Sequence, residues 1–396
     1  MQTRYFAKIS TSALLLFSLL TAQAQDQSQQ NPIIKPICEL PAAPVQMQVV
    51  FALDVTGSMG SLINAARDKI WSIANSLRQS NTQIDLEIGV VAYRDRGDQF
   101  VTKIIGLNTD IDQVFSELNA LSASGGGDTP ESVNQALKDA VNAIHWDQSP
   151  STIRTIFLVG DCPPHMNYRK DVPYQETCQL ALSKDIVINT IQMGSNGSTR
   201  VIWQEIASLT RGEFNNTDMN VNQVAISTPF DEELKRKTME LEESKTYYGN
   251  QKIVEEQVQI KEIKIQAAST MTVETAARRA DYYSTSGYDT DFYGSNEIIT
   301  DIAAGDVSLD DIEEADLPEH LQVIPVAERK EYLDTLVANR LEVQDEIESL
   351  IKQREVYITN NNSAAVLENS LSNKVLQSVK RQAASKDIKI DGKAKF

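Results

Sequence analysis

An α/β fold, doubly wound and followed by a mainly α-helical C-terminal region, is what this 396-residue sequence predicts. Three observations carry the expectation. Continuous apolar runs such as "MQVVFAL", "IRTIFLVG" and "IVINTIQMG" read as strands buried on both faces. Amphipathic helical stretches alternate with them, as parallel strands joined by crossover helices require. After about residue 225 the strand patterns stop and charged helical patterns take over.

The first residues precede this fold. Arg4 and Lys8 lead into an apolar run from Ile9 to Leu20, and Ala22-Gln23-Ala24 has the small-x-small form of a cleavage site. A signal peptide over 1–24 is expected, with cleavage after Ala24 and export to the periplasm or beyond. The run is short for a membrane span, and no later apolar run is long enough for one. Its removal takes away Arg4 and Lys8 and no acid, so the formal charge of −18 becomes −20. Such a balance argues against nucleic acid and anionic lipid as partners. Cys38, Cys162 and Cys178 allow three disulfide pairings in an oxidising compartment. Cys162 and Cys178 both belong to segments that start from one edge of the sheet, which favours that pair.

Residues 25–45, rich in Gln, Asn and Pro, read as a linker. "MQVVFAL" opens the sheet. In "SLINAARDKIWSIANSL", Leu62, Ala66, Ile70, Ile73 and Leu77 share one helical face. "IDLEIGVVAY" and "FVTKIIGL" follow as strands, "DIDQVFSELNAL" and "PESVNQALKDAVNAI" as helices. Next come strand "IRTIFLVG", helix "YQETCQLALSK", strand "IVINTIQMG", helix "RVIWQEIASLT" and the short run "GEFNNT", which closes the domain over 46–222. The segment 223–283 reads as helical with a break at Tyr247-Tyr248-Gly249. Residues 284–300 read as loop within an acidic, loop-rich stretch over 284–326. From Glu297 to Glu328 the sequence has acids and no Lys or Arg, the pattern of a solvated run. Within 327–396, a long helix over 327–358 carries Leu336, Val343, Ile347, Leu350 and Tyr357 at coiled-coil spacing, interrupted by Arg340 and Arg354. That seam implies packing on another helix, in this chain or in a second copy, and so self-association. The packed helices are expected to form a unit apart from the sheet.

In a doubly wound sheet, ligands bind at the carboxyl ends of the strands, near the switch point. Asp54, Thr56 and Ser58 leave the first strand there. The glycine loop "SASGGGDTPE" delivers Asp128, Thr129 and Glu131, and "TIFLVG" ends in Asp161. Carboxylates and hydroxyls are hard oxygen donors that suit Mg²⁺ or Ca²⁺.

"DVTGSM", residues 54–59, resembles the metal-ion-dependent adhesion motif of von Willebrand factor type A domains, Asp-x-Ser-x-Ser, with Thr56 in the middle slot. The order of elements from about 47 to 220 is similar to that family's. "DTPE" resembles the Asp-x-Pro-Glu loop of integrin beta subunits and hemicentin-like domains. The resemblance implies one ion held by Asp54, Thr56, Ser58, Glu131 and Asp161. Asp128 and Thr129 are candidates for a second ion, and Thr129 is the alternative ligand to Glu131. Asp95 is a candidate outer ligand. Gly60 and Ser61 stand where integrin beta subunits have acids, so the adjacent regulatory site is not expected.

The implied role is metal-dependent protein binding, through an acidic side chain of the partner at the ion. "AARRADYY" and "EADLPEHLQVIPVAERKEYL" resemble the tails of exported bacterial proteins of this type, largely uncharacterised. The type A portion also resembles one attached to alpha-kinases, but no kinase module is identifiable and no enzyme is expected. The alternatives are an envelope assembly factor in which the metal only stabilises the fold and, remotely, a metal hydrolase that uses His165. Arg96-Gly97-Asp98 spells an integrin-recognition tripeptide but reads as a polar turn.

Overall fold

The computed structural model describes residues 44–79, 83–127, 129–217, 226–288 and 290–396. The expected signal peptide, the linker with Cys38, and Asp128 lie outside them, as do the side chains of Leu62 and Ala66. Strand β1 (Val45–Asp54) leads through a 3-10 turn (Gly57–Met59) into α1 (Gly60–Arg78). There follow β2 (Ile84–Tyr93), β3 (Thr102–Asn108), α2 (Ile111–Asn119), α3 (Val133–Asn142), β4 (Ile153–Gly160) and α4 (Tyr174–Ser183). Strand β5 (Ile186–Met193), α5 (Gly197–Leu209) and β6 (Phe214–Thr217) complete the α/β part.

One six-stranded sheet has the order β3-β2-β1-β4-β5-β6. It is parallel except for the β2–β3 pair at one edge. Its order reverses at β1, so the carboxyl ends of β1 and β4 flank the switch point. Side-chain alternation sorts the core. Met47, Val49, Phe51 and Leu53 pack with α1 and α2, whereas Val50 and Ala52 pack with α3, α4 and α5.

The C-terminal region holds α6 (Asp231–Glu243), α7 (Gln251–Thr270), α8 (Val273–Ser286), α9 (Thr290–Tyr293) and α10 (Ile298–Ala304). Then come α11 (Glu319–Gln322), α12 (Val326–Asn361), α13 (Ala364–Glu368) and α14 (Leu371–Ala384). Residues 284–300, expected as loop, thus include α9 and the start of α10.

The expectation of a separate helical unit is overturned: Ala43–Phe396 forms one compact unit. The reason lies in α1, which is apolar on more than its sheet-facing side. Its Trp71, fully buried, meets Tyr282 and Tyr283 of α8 at centroid distances of 5.4 and 5.8 Å. Aromatic faces of this size dominate the packing energy where they are covered. Leu234, Leu241, Ile347, Val375 and Val379 continue the same core.

Charged residues are built into this flank. Asp112 of α2 receives two hydrogen bonds from Arg279 of α8, at 2.6 and 2.7 Å, and one from the Tyr283 hydroxyl at 2.7 Å. Arg279 also pairs with Glu242. Arg340 and Arg354, which interrupt the seam of α12 in the sequence, are its anchors. Arg340 pairs with Glu297 at 2.7 Å and Arg354 with Asp231 at 2.8 Å, all four buried. Glu297 therefore departs from the solvated acidic run expected of its neighbourhood. Val343 and Ile347 are buried within this chain, against α6 and α8.

Residues 386–396 lie as a strap against the end of α1. A Cβ on Gly392 would stand 2.7 Å from the Ser76 carbonyl, so the backbone passes at glycine distance. The Lys395 amide donates to Ser76 Oγ at 2.7 Å, and Ile390 is buried. No helix among the described residues is long and apolar enough to cross a membrane.

Candidate metal centre

Asp54 ends β1 and is fully buried. Its Oδ1 accepts from the Thr56 amide at 3.0 Å and the Thr56 hydroxyl at 2.7 Å. Thr56 Oγ1 lies 3.3 Å from Ser58 Oγ, so the three oxygens of the first loop form one chain. The other oxygen, Asp54 Oδ2, is buried without a hydrogen-bond partner.

The glycine loop is laid directly on the first loop. The Gly57 amide donates to the Gly125 carbonyl at 3.0 Å, and the Ser124 amide to the Val55 carbonyl at 3.3 Å. Gly125 and Gly126 have φ of +80° and +72°, a conformation that side chains resist. Space matters as well. A Cβ on Gly126 would stand 3.0 Å from Glu131 Oε1 and 3.0 Å from Thr56 Cβ. The point thus bounded lies between the two loops, and only a bare backbone leaves it open.

Asp98 holds this arrangement from the side. Its Oδ2 accepts from the Asp95 amide at 3.1 Å and the Gly126 amide at 3.0 Å. The Asp98 carboxylate is therefore turned inward, and the Arg96-Gly97-Asp98 turn does not present it. In the sequence this turn is merely polar, because the partner of Asp98, Gly126, lies 28 positions away.

Glu131 follows a cis Thr129–Pro130 bond and precedes α3, which begins at Val133. It was expected at a helix start. It sits instead in an isolated parallel bridge to Pro164: its amide donates to the Pro163 carbonyl at 3.0 Å, and its carbonyl accepts from the His165 amide at 2.9 Å. The side chain is buried, and Oε2 has no hydrogen-bond partner. Asp161, after β4, likewise has a buried Oδ1 without a partner.

Burial, and then the charges of Asp54, Asp95, Asp98 and Asp161, push the Glu131 carboxyl up to about 9. Burial pushes Asp54 up to about 7, with the Asp161 charge adding to it and the Thr56 hydrogen bonds opposing. The acids are thus close enough to oppose one another's ionisation, and a cation among them would reverse that effect.

Asp95 is buried, with Ser132 Oγ donating at 2.9 Å and Tyr168 OH at 2.7 Å. His165 Nε2 is 3.4 Å from it, and the imidazole stacks on Tyr168 with centroids 4.1 Å apart. Asp95 thus anchors the loop after β4. Thr129 is exposed, and its hydroxyl lies 4.0 Å from Cys162 Sγ. Cys162 and Cys178 are free thiols, which corrects the expected disulfide. Cys178 turns into the core and lies 4.0 Å from the Ile206 carbonyl, while Cys162 faces the loops.

Among the described residues, no group of three His, Cys, Asp or Glu side chains is placed to hold an ion by itself. The oxygen set assembled here also contains the hydroxyls of Thr56 and Ser58. Hard donors, unpartnered buried carboxylate oxygens and a glycine cradle together fit a Mg²⁺- or Ca²⁺-type ion. Tyr93 and Gly160, which sequence reasoning did not single out as functional, form the floor of the site.

Residues 48–219 match the family model of the von Willebrand factor A domain. Two curated proteins align with part of the chain. One is a putative ariadne-like RING finger protein of Acanthamoeba polyphaga mimivirus, 23% identical over 183 residues, covering 42% of this chain and 18% of that protein. The other is an alpha-protein kinase of Dictyostelium discoideum, 26% identical over 141 residues, covering 35% and 22%. The chain thus spans about a fifth of the length of these relatives. Among solved structures, a von Willebrand factor type A protein from Catenulispora acidiphila aligns with TM-score 0.34 and 17% identity, over 44% of this chain and 38% of that one. Proximal thread matrix protein 1 from the mussel byssus aligns with TM-score 0.34 and 16% identity, over 46% and 44%.

Proposed function

Since residues 48–219 carry a von Willebrand factor A domain, a general protein-interaction module, we propose that this chain binds a protein partner through a divalent ion held at the edge of its sheet, and that it acts outside the bacterial cytoplasm. One observation carries the metal part. Asp54 Oδ2, Glu131 Oε2 and Asp161 Oδ1 are buried oxygens without partners, on the three loops that meet at the switch point. Leaving such groups unsatisfied costs about 1–3 kcal/mol each, and more for charged ones. A bound ion supplies the missing interaction. Asp54, Thr56, Ser58, Glu131 and Asp161 would hold it. The ion would supply an electrophilic anchor for a carboxylate from the partner.

The surroundings suit an acidic partner. Arg169 and Lys170 are exposed on the loop after β4, while Asp95 and Asp98 are turned inward and Asp171 is paired with Arg96. That loop is fixed by Tyr168 on Asp95 and by the Asn134 amide on the His165 carbonyl at 3.0 Å.

The test is calorimetric titration of Mg²⁺ and Ca²⁺ into EDTA-stripped protein, followed by partner capture with and without EDTA. One site is expected, lost in Asp54→Ala, and capture should depend on the ion. Ion-independent capture that survives Asp54→Ala would favour the reading in which helices make the contacts. Val258, Ile260 and Ile263, exposed on α7, would then be the place to look.

A further inference from the structure

Tyr93 closes β2 and is paired in register with Asp54 at the end of β1. Register partners on adjacent parallel strands project to the same face of the sheet. Tyr93 is fully buried, and its hydroxyl has no hydrogen-bond partner. The group stands among acids. A Cβ built on Gly160, the residue before Asp161, would lie 2.5 Å from Tyr93 OH and 3.0 Å from Asp54 Oδ2. The phenol therefore occupies the floor beneath the point where the first and third loops leave the sheet, and only glycine at 160 leaves room for it.

A buried hydroxyl with nothing to bond is costly, and a phenylalanine would fill the same space without that cost. A tyrosine hydroxyl has one proton to donate. Two nearby acceptors, Asp54 Oδ2 and Asp161 Oδ1, are equally without donors. The ingredients of an outer layer around an ion are present: a donor and acceptors, each waiting for the other to be brought to the right orientation.

We propose that Tyr93 is a positioning residue of the ion site: when the ion draws Asp54 and Asp161 into place, the Tyr93 hydroxyl donates to one of their carboxylates from below and fixes its orientation. Hydrogen bonds of this kind behind metal ligands are worth tenfold to hundredfold in affinity in known sites. The inference rests on the ion reading given above, and extends it to a residue that does not touch the ion.

The experiment compares wild type, Tyr93→Phe and Tyr174→Phe, each stripped with EDTA and titrated with Mg²⁺ and then with Ca²⁺ by calorimetry. Thermal unfolding is followed in parallel in EDTA and in saturating ion. Tyr174→Phe controls for loss of a phenol outside the ion site, since its hydroxyl serves Glu205, and its ion affinity should match wild type. Tyr93→Phe is expected to weaken ion binding tenfold or more and to show a smaller ion-induced rise in Tm. In EDTA its Tm should equal or exceed that of wild type. A purely structural role gives a different signature, the same Tm change with and without ion and an affinity within twofold of wild type; that result overturns the proposal. If wild type itself binds neither ion, the metal reading falls, and this inference with it. If wild type binds and Tyr93→Phe binds equally, only the role of Tyr93 is lost.

Discussion

Two regions of this molecule bury acids, and they do it in opposite ways. On the flank between α2 and α8, Asp112 is met by the Arg279 fork and the Tyr283 hydroxyl. Burial alone would raise its carboxyl, but Arg279 and Lys264 outweigh that and hold it at about 2. At the sheet edge, Asp54 is as deeply buried, yet no cationic side chain of the chain reaches it among the bonds and ion pairs described, and it is pushed up to about 7. The same residue type at the same depth is thus finished in one place and unfinished in the other. A paired acid is part of the scaffold. An unpaired one is a candidate functional group, and the proposed ion would supply its missing charge.

The comparison can be broken most easily from its finished side. Arg279→Met takes the guanidinium fork from Asp112 and one of two cations from Glu242, leaving Lys264 at 3.9 Å from the first and Lys245 on the second, and should cost about 3 kcal/mol, read as a shift of the urea midpoint. A loss below 1 kcal/mol would mean that the flank is not held by this network.

The pH response should follow the same group. Because the folded-state value of Asp112 lies below the ~3.9 of an unfolded aspartate, its contribution is complete above about pH 4 and is lost as pH falls towards 2. Urea midpoints measured at pH 6, 4 and 2.5 should fall steeply over the last interval in wild type and less so in Arg279→Met.

Neutralising each acid in turn sharpens the contrast, since the signs should differ. In EDTA, Asp112→Asn should destabilise by about 1–3 kcal/mol, as a buried network loses its charge. Asp54→Asn should be neutral or stabilising in EDTA, while ion affinity drops well beyond tenfold in calorimetry. Equal destabilisation by both would remove the distinction drawn here.

Gly126→Ala tests the cradle. Its φ of +72° and the 3.0 Å approach to Glu131 Oε1 predict a loss of about 1–2 kcal/mol together with weaker ion binding. The smallest effect belongs to Thr129→Ala. Thr129 is an exposed residue whose hydroxyl contacts Cys162 Sγ at 4.0 Å, so ion affinity should stay within about twofold, whereas Glu131→Gln should fall beyond tenfold. The reverse order would restore the threonine as ligand.

Much of the α/β part was legible because its signals are local and its topology is constrained. Apolar runs gave the strands, and a doubly wound sheet sends Asp54 and Asp161 to one edge whatever the details. What stayed hidden were pairings across long stretches of chain. Asp112 and Arg279 are 167 positions apart, and Glu297 and Arg340 are 43 apart. Arg340 and Arg354 looked like faults in a seam because their acids lie on other helices. In the sequence Tyr93 is only the last residue of a strand, since a hydroxyl's lack of a partner has no sequence signature. The free thiols of Cys162 and Cys178 follow from where two side chains point, which membership of one edge does not determine.

The strap against α1 has a consequence for how the chain comes to be folded. Ser76 takes its hydrogen bond from Lys395, a residue made 319 positions later. At synthesis rates of about 5–20 residues per second, the end of α1 waits on the order of 16–60 s for that contact. Trp71 waits about two-thirds as long for Tyr282 and Tyr283. Pairings of such high sequence separation are entropically slow to close. Through that interval the nascent α/β part carries an aromatic, uncovered helix face, an aggregation-prone surface until the C-terminal helices arrive.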